Sequence, residues 1–472
     1  MNTTISEDYN LTSRILTLKG PCVSRPYTEV NQCNLRDSGK LVAVKSYKSM
    51  SGDSRENHSE KIHPELQLLS SNLLHHVNIV PFLGFKKDKP FHSLVMPWMP
   101  DGTLTSFIRT HKAVLETAAK ATLLHDISSG LEYLHLHFVV HGNLESDNVL
   151  ITERHSACIS GFRQSVRLSS RDATCPQSQM PPKPAIQFAG PECDTYSFGC
   201  IMFYVFTIRM PWHDATSGEI SNQLRKRVTP SRPKGSIVDD KQWALIEPCL
   251  SLLPQKRLSI LDVLETIKKY LVSIGTPDLT GQIEKRGNHP VSSGGYGSVY
   301  EAIWKRKTGG RVEVAVKVMH VEAPRIDEVK KILKRELAAW RRLSHTNIVS
   351  LLGTTTGFGH LEGMVSPWMK NGSLHVYLSK RNDVPLSKRL LWMDDIAEGL
   401  KYLHKHPVVH GDLTPSNVLI DDDERAVLTD FGLSIILGGF TNLSVTYNDV
   451  KIGTLAWAAP ELFPDSPDSR RQ

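Results

Sequence analysis

Between His410 and Gly432 the chain reads HGDLTPSNVLIDDDERAVLTDFG. Three side chains in this stretch carry oxygen donors at fixed intervals: Asp412, Asn417 and Asp430. The NVLI and AVLT runs between them read as short buried strands, which puts the polar residues on the turns beside them. Such strand-and-turn geometry can bring three oxygen-bearing side chains to one hard divalent cation and one phosphate. An Asp-Phe-Gly tripeptide by itself means little, because any surface turn can carry it. Preceded by His-x-Asp and Asn at these intervals, it is specific. The adjoining run Asp421-Asp422-Asp423-Glu424 is read as an exposed acidic turn.

Those turns need a scaffold, and the chain supplies it twice. HVNIVPFLG at His76 is answered by HTNIVSLLG at His345, and DISSGLEYLH at Asp126 by DIAEGLKYLH at Asp395. His141-Gly142-Asn143 is answered by His410-Gly411-Asp412, 410 minus 141 or 269 residues later. The separation barely drifts along the chain, so a large domain is duplicated in tandem, with a period far beyond that of solenoid repeats. In each copy a strand-rich beginning (VAVKSY, VEVAVKV) gives way to a helix-rich end. The segment from Asp327 has helical periodicity, with Val329, Ile332, Leu333 and Leu337 along one side, and Leu386 to His404 forms a longer amphipathic helix. The pattern predicts an α+β fold of two tandem bilobal domains, each with a β-rich small lobe, a helical large lobe and a ligand cleft between them.

With 40% hydrophobic and 22% charged residues in 472, the composition is that of an ordinary globular protein. A net charge of +7 is mild and never concentrated, so no nucleic-acid or membrane partner is expected. The polar start, MNTTISEDYN, lacks the regions of a signal peptide, and the apolar run from Phe198 to Ile208 is too short to span a bilayer. It reads as a buried helix. Seven cysteines without a CxxC pair argue for reduced thiols and a cytoplasmic location.

The second copy resembles protein kinase domains of the tyrosine-kinase-like serine/threonine group from Ile283 to Glu461. The tandem layout and the His-Gly-Asp form are similar to kinases abundant in basidiomycete fungi. The resemblance implies ATP and Mg2+ as cofactors and a protein substrate. It implies that Asp412 orients and deprotonates the substrate hydroxyl, that Asn417 and Asp430 hold the metal, and that Lys317 contacts the α- and β-phosphates with Glu336 as its ion-pair partner. Gly294, Gly295 and Gly297 match the phosphate-covering loop, with Ser292 in place of its first glycine. Val299, Ala315, Pro367 and Met369 complete the nucleotide-binding set, the last two at the hinge. Two departures stand out: Gly411 replaces the arginine that answers an activation-segment phosphate, and Thr414 replaces a lysine that contacts the γ-phosphate. Ser434, Thr441, Ser444, Thr446 and Tyr447 are candidate modification positions, and Gly453-Thr454 points to Ser/Thr substrates.

Copy one resembles a pseudokinase. It has Ser24-Arg25-Pro26-Tyr27-Thr28 where the glycine loop would be, Asn143 in place of Asp412, and Gly161-Phe162-Arg163 in place of Asp-Phe-Gly. Lys45 remains, but nine residues before His76 stands Gln67, so its glutamate is expected to be missing; Glu65 serves only if two residues are inserted. Glu192 and Arg257 match a buried ion pair of the family. The expected domains are a degenerate kinase domain over 11–272, a linker over 273–278, a kinase domain over 279–463 without the last large-lobe helices, and a disordered tail over 464–472. The function expected is phosphoryl transfer by copy two, with copy one regulating it through intramolecular contact. The alternatives are a catalytically inactive nucleotide-binding or scaffolding pair, or a fragment of a longer kinase.

Overall fold

Alternation of small apolar residues starts both halves of the protein. In the computed structural model, Leu41–Tyr47 and Arg311–Met319 form the central strands of two separate antiparallel sheets. The structure describes residues 7–18, 22–24, 28–48, 65, 68–71, 74–87, 92–168, 190–212, 215–226, 228–235, 237–294, 297–320, 330, 333–334, 337, 340–341, 343, 345–381, 383–406, 408–430, 435–436 and 457. The chain divides into two units, Met1–Ser273 and Ile274–Gln472.

In unit 1 the sheet comprises β1 (Ile15–Thr17), β2 (Val23–Ser24), β3 (Thr28–Leu35), β4 (Leu41–Tyr47), β5 (Gly84–Lys87) and β6 (His92–Pro97). Its order is β1-β3-β4-β6-β5, with β2 hairpinned onto β3. Helices follow: α1 (Leu104–His111) and α2 (Thr117–Leu136). Short strands come next: β7 (Val139–Val140), β8 (Val149–Ile151), β9 (Ala157–Ile159) and β10 (Val166–Arg167). The unit ends with α3 (Pro191–Thr207), α4 (Ser217–Arg225), α5 (Asp240–Ile246) and α6 (Ile260–Ser273). The apolar run expected to be a buried helix lies in α3, which starts at Pro191, where a missing N–H costs nothing. Both α3 and α6 pack against α2, which is buried on nearly every side.

Unit 2 repeats the sheet. Its strands are β11 (Ile283–Lys285), β12 (Ser292–Gly294), β13 (Gly297–Lys305), β14 (Arg311–Met319), β15 (Gly353–Thr355) and β16 (Gly363–Pro367), in the order β11-β13-β14-β16-β15. Then come α7 (Leu374–Lys380), α8 (Leu386–Lys405), β17 (Val408–Val409), β18 (Val418–Ile420), β19 (Ala426–Leu428) and β20 (Ile435–Ile436). The period-two pattern of β14 buries Val314, Val316 and Val318 against Leu279, Ala302 and Val365. Ala315 and Lys317 therefore share the opposite face. A second core gathers Leu333, Leu337, Trp340, Trp392, Leu403 and the β18–β19 hairpin, so Leu333 and Leu337 lie on one buried side, as their spacing predicts. Val329 and Ile332 lie outside the described residues, as do the candidate modification positions and the tail.

The duplication extends to single hydrogen bonds. Asn78 Nδ2 donates to the Ala157 carbonyl at 3.0 Å, as Asn347 Nδ2 does to Ala426. Asp126 Oδ2 accepts from the Ala157 N–H at 2.9 Å, as Asp395 Oδ2 does from Ala426. Gly130 and Gly399 let these helices approach the Asn78 and Asn347 carbonyls, which a Cβ would meet at 2.7 and 3.0 Å.

Candidate active site

The loop that carries Asp412 runs from β17 to β18. Gly411 turns it with φ of 77°, a conformation that side chains disfavour. Buried His410 fastens it on both sides. Its Nε2 hydrogen-bonds the Thr429 carbonyl at 2.8 Å, and its Nδ1 accepts from the Asp412 N–H at 3.3 Å. Burial pushes the His410 pKa down, against the opposing pull of the Thr429 carbonyl, which keeps Nδ1 available as an acceptor.

Asn417 closes the loop: its Nδ2 donates to the Asp412 carbonyl at 2.8 Å and to Asp412 Oδ2 at 3.0 Å. The Asn417 carbonyl accepts from the Thr429 N–H at 3.0 Å, which places the next residue, Asp430, beside it. Asp430 has a left-handed backbone, φ 68°, and its carboxylate is ion-paired with Lys317. A non-glycine residue in that region costs about 1 kcal/mol or more and persists where its surroundings impose it. Lys317, Asp430, Asn417 and Asp412 thus form one connected set drawn from β14, the end of β19 and the loop between β17 and β18.

The other predicted residues surround Lys317. Val299 lies opposite it on β13, Ala315 precedes it on the same face, and Pro367 ends β16 opposite Val314. Met369 follows, its side chain buried in the second core. Gly294 and Gly297 pair across the β12–β13 hairpin. Gly297 has a packing reason of its own, since a Cβ there would lie 2.3 Å from the Val318 carbonyl oxygen. Gly295 and Glu336 lie outside the described residues.

Unit 1 builds the same loop with different contents. Gly142 has φ 72°, His141 Nε2 hydrogen-bonds the Ser160 carbonyl at 2.9 Å, and Asn148 Nδ2 donates to the Asn143 carbonyl at 2.9 Å. Gly161 occupies the position of Asp430 with φ 82° and offers no carboxylate. Lys45 pairs with Glu65 at 3.8 Å, so the glutamate expected to be missing is present two residues before the counted position. Glu65 is buried and also accepts from the Tyr47 hydroxyl, a contact that spacing did not suggest. Burial and the Glu65 charge push the Tyr47 pKa well up.

A second residue missed as a functional support is Asp194 in α3. It accepts from the His141 and Gly142 N–H groups at 2.8 and 2.9 Å and from His135 Nε2 at 2.9 Å. Burial works to raise its pKa, but the His135 hydrogen bond, the imidazole charges and the Gly142 N–H outweigh that and hold it low. Only its place at the start of an apolar helix was visible in the sequence. The expected Glu192–Arg257 carboxylate pair takes another form: Arg257 Nη1 donates to the Glu192 backbone carbonyl at 2.7 Å and its Nε to the Ser251 carbonyl at 2.7 Å. Glu192 at the helix start stays exposed.

Comparison with known proteins agrees with this geometry. The family model described as "Protein tyrosine and serine/threonine kinase" matches residues 24–267 and 286–469. "Receptor-interacting serine/threonine-protein kinase 3" of Rattus norvegicus is 35% identical over 208 residues, 42% of this chain and 41% of that protein. "Serine/threonine-protein kinase CTR1" of Arabidopsis thaliana is 33% identical over 186 residues, 38% of this chain and 21% of that protein. "Serine/threonine/tyrosine-protein kinase HT1" of the same plant is 30% identical over 187 residues, 38% of this chain and 45% of that protein. The chain spans less than half the length of each of these relatives.

Proposed function

Because the chain belongs to the protein tyrosine and serine/threonine kinase family, we propose that unit 2 transfers the γ-phosphoryl group of ATP to serine or threonine hydroxyls of proteins, and that unit 1 regulates it. The observation that carries this reading is the Lys317–Asp430 pair set beside the Asn417–Asp412 loop. In the proposed reaction Asp412 orients the substrate hydroxyl and accepts its proton as the new O–P bond forms and ADP departs. Lys317 lies on the strand face it shares with Ala315, in position to hold the α- and β-phosphates. The donor set suits a hard cation. Asp430 supplies a carboxylate, and Asn417, whose amide nitrogen is committed to Asp412, keeps its oxygen for a metal. When bound, Mg2+ neutralises charge on the β- and γ-phosphates. Lys317 must then exchange part of its Asp430 contact for phosphate.

The departures at Gly411 and Thr414 shape the proposal. Without an arginine before Asp412, activity does not depend on an arginine pairing with an activation-segment phosphate. Thr414 is buried, and its carbonyl accepts from the Asn417 N–H at 2.9 Å, so it braces the loop and offers no charge to a γ-phosphate. A slow kinase is expected. In unit 1 the Lys45–Glu65 pair persists without Asp412 and Asp430 counterparts, which favours a non-catalytic regulatory role there.

The test is transfer of labelled phosphate from Mg-ATP to a generic protein substrate by the full chain and by Asp430→Asn. Label that depends on Asp430 is the expected result. Equal incorporation by both proteins overturns the proposal, and nucleotide binding without transfer assigns the chain to a non-catalytic sensing role.

A further inference from the structure

Behind the glycine hairpin of unit 2, three side chains are joined in a line. Ser293 Oγ hydrogen-bonds Ser298 Oγ at 3.1 Å, and Ser298 Oγ hydrogen-bonds His320 Nε2 at 2.8 Å. Ser293 lies on β12, Ser298 stands opposite it on β13, and His320 is the residue after β14. The line therefore ties three neighbouring strands together. It runs on the side of the sheet away from Lys317. Ser298 pairs with Val318, whose side chain lies in the sheet's own core, and cross-strand partners share a face. Strand β12 is three residues long, and among the described residues it pairs with β13 alone. Ser298, the middle link, is 5% exposed, so water has little access to its bonds.

Unit 1 is tied at the same three places by different residues. Ser24 stands opposite Glu29 across β2 and β3, as Ser293 stands opposite Ser298. Lys48 comes three residues after Lys45, as His320 comes three after Lys317. Lys48 Nζ lies 3.1 Å from Glu29 Oε1 and donates to Ser24 Oγ at 2.6 Å. Two of the three residue types differ, yet the contact persists, so what both hairpins keep is the tie itself. In unit 2 that tie has a further consequence. Gly294, Gly295 and Gly297 lend the hairpin little stiffness, and ordering it over a phosphate costs backbone entropy. A tie that already holds β12 on β13 lowers that cost. We infer that His320 is a positioning residue, which acts through Ser298 and Ser293 to hold the phosphate-covering hairpin ready for nucleotide. That the hairpin meets a nucleotide rests on the reading of unit 2 as a kinase; the tie rests on the geometry alone.

Two readouts on the full chain test this. One is KM for ATP against kcat. The other is hydrogen exchange at the Val291 N–H, which donates to the Val299 carbonyl at 2.8 Å at the base of the hairpin. His320→Leu is expected to raise KM about fivefold, the equivalent of one hydrogen bond, with kcat unchanged. It also speeds exchange at Val291 in the absence of nucleotide. His320→Gln, whose amide both donates and accepts, keeps both readouts at parent values. Ser298→Ala repeats the loss, and the double variant Ser298→Ala with His320→Leu adds nothing to it, because both changes break one line. Unchanged exchange at Val291 in His320→Leu overturns the inference. So do a fall in kcat at constant KM, additive losses in the double variant, and a His320→Gln that behaves like His320→Leu. If the parent chain transfers no phosphate, the kinase reading fails, and exchange at Val291 still decides whether His320 holds the hairpin.

Discussion

The loops around Asp412 and Asn143 have nearly the same backbone and opposite chemical content. Each has a glycine at φ of 77° or 72°, a buried histidine bonded to the strand that follows, and an asparagine closing the turn at 2.8 or 2.9 Å. Unit 2 places carboxylates at the two remaining positions, and at Asp430 it does so in a strained left-handed conformation. Unit 1 places an amide and a glycine there and carries no such strain. The scaffold therefore does not depend on the reactive groups. What separates the units is that only unit 2 retains a costly conformation whose carboxylate meets a lysine, which is the pattern expected of a working site.

Exchanging content between the loops gives the largest effect. Asp412→Asn, which makes unit 2 like unit 1, lowers phosphotransfer about 100- to 10,000-fold, the range for a lost general base. The reverse change, Asn143→Asp, gives no activity, because Gly161 still supplies no carboxylate. Steady-state transfer rates for the two variants decide the matter, and activity gained by Asn143→Asp would show that unit 1 is nearer to catalysis than its glycine implies.

Removing the support of one loop gives the next effect. Asp194 accepts three hydrogen bonds while 1% exposed, so Asp194→Asn leaves a buried N–H with the wrong polarity and costs about 3 kcal/mol. Among the described residues, no carboxylate answers the Gly411 N–H in unit 2. Denaturant unfolding of the parent and variant measures the loss. Hydrogen exchange at Gly142 and Gly411 locates it, and only Gly142 is expected to lose protection.

Acid sharpens the contrast from the other side. His345 stacks on Tyr402 at 4.7 Å, and its Nδ1 accepts from the Asn347 N–H at 3.1 Å. Burial pushes its pKa down to about 4, with the Glu398 charge opposing. The folded pKa lies below that of the unfolded chain. The neutral form's contribution is therefore complete above about pH 6.5 and lost as pH falls from there through about 4. The loss is on the order of 3 kcal/mol. Unfolding curves across that window should flatten in His345→Asn, which keeps an acceptor for Asn347 without a titrating ring. An unchanged pH slope would show that other groups set the acid stability.

Much of this was legible because the chain carries its own comparison. The sheets, the β18–β19 hairpin and the set Asp412, Asn417 and Asp430 follow from alternation and from the 269-residue offset. What escaped was set by packing. Counting back from His76 reached Gln67, whereas burial and the approach of Lys45 select Glu65. The Lys45-to-Lys317 separation, 317 minus 45, is 272, so the repeat slips in just this region. An ungapped count cannot follow a helix across such a slip. Tyr47 and Asp194 escaped for a related reason. Each acts through partners 18 and 53 residues away, and neither residue type announces that role. Glu336, the expected partner of Lys317, lies outside the described residues, and among those described Lys317 meets Asp430 through the left-handed turn.

The smallest effect tests that turn directly. Gly161 has φ 82°, and a Cβ there would fall 2.7 Å from the Asn148 side chain, so Gly161→Ala adds both backbone strain and a clash. The expected cost is about 1 to 2 kcal/mol. Asp430→Ala introduces no new strain, because a side chain already occupies the left-handed position. It removes only a partly exposed ion pair, worth about 1 kcal/mol or less. The local reporters are the Ser160 and Thr429 amides, which bond the Asn148 and Asn417 carbonyls at 2.7 and 3.0 Å. Faster hydrogen exchange at Ser160 in Gly161→Ala, with little change at Thr429 in Asp430→Ala, is the expected outcome. Equal losses at both amides would mean that unit 2 depends on Asp430 for its fold as well as its chemistry, and the separation of scaffold from content would fail there.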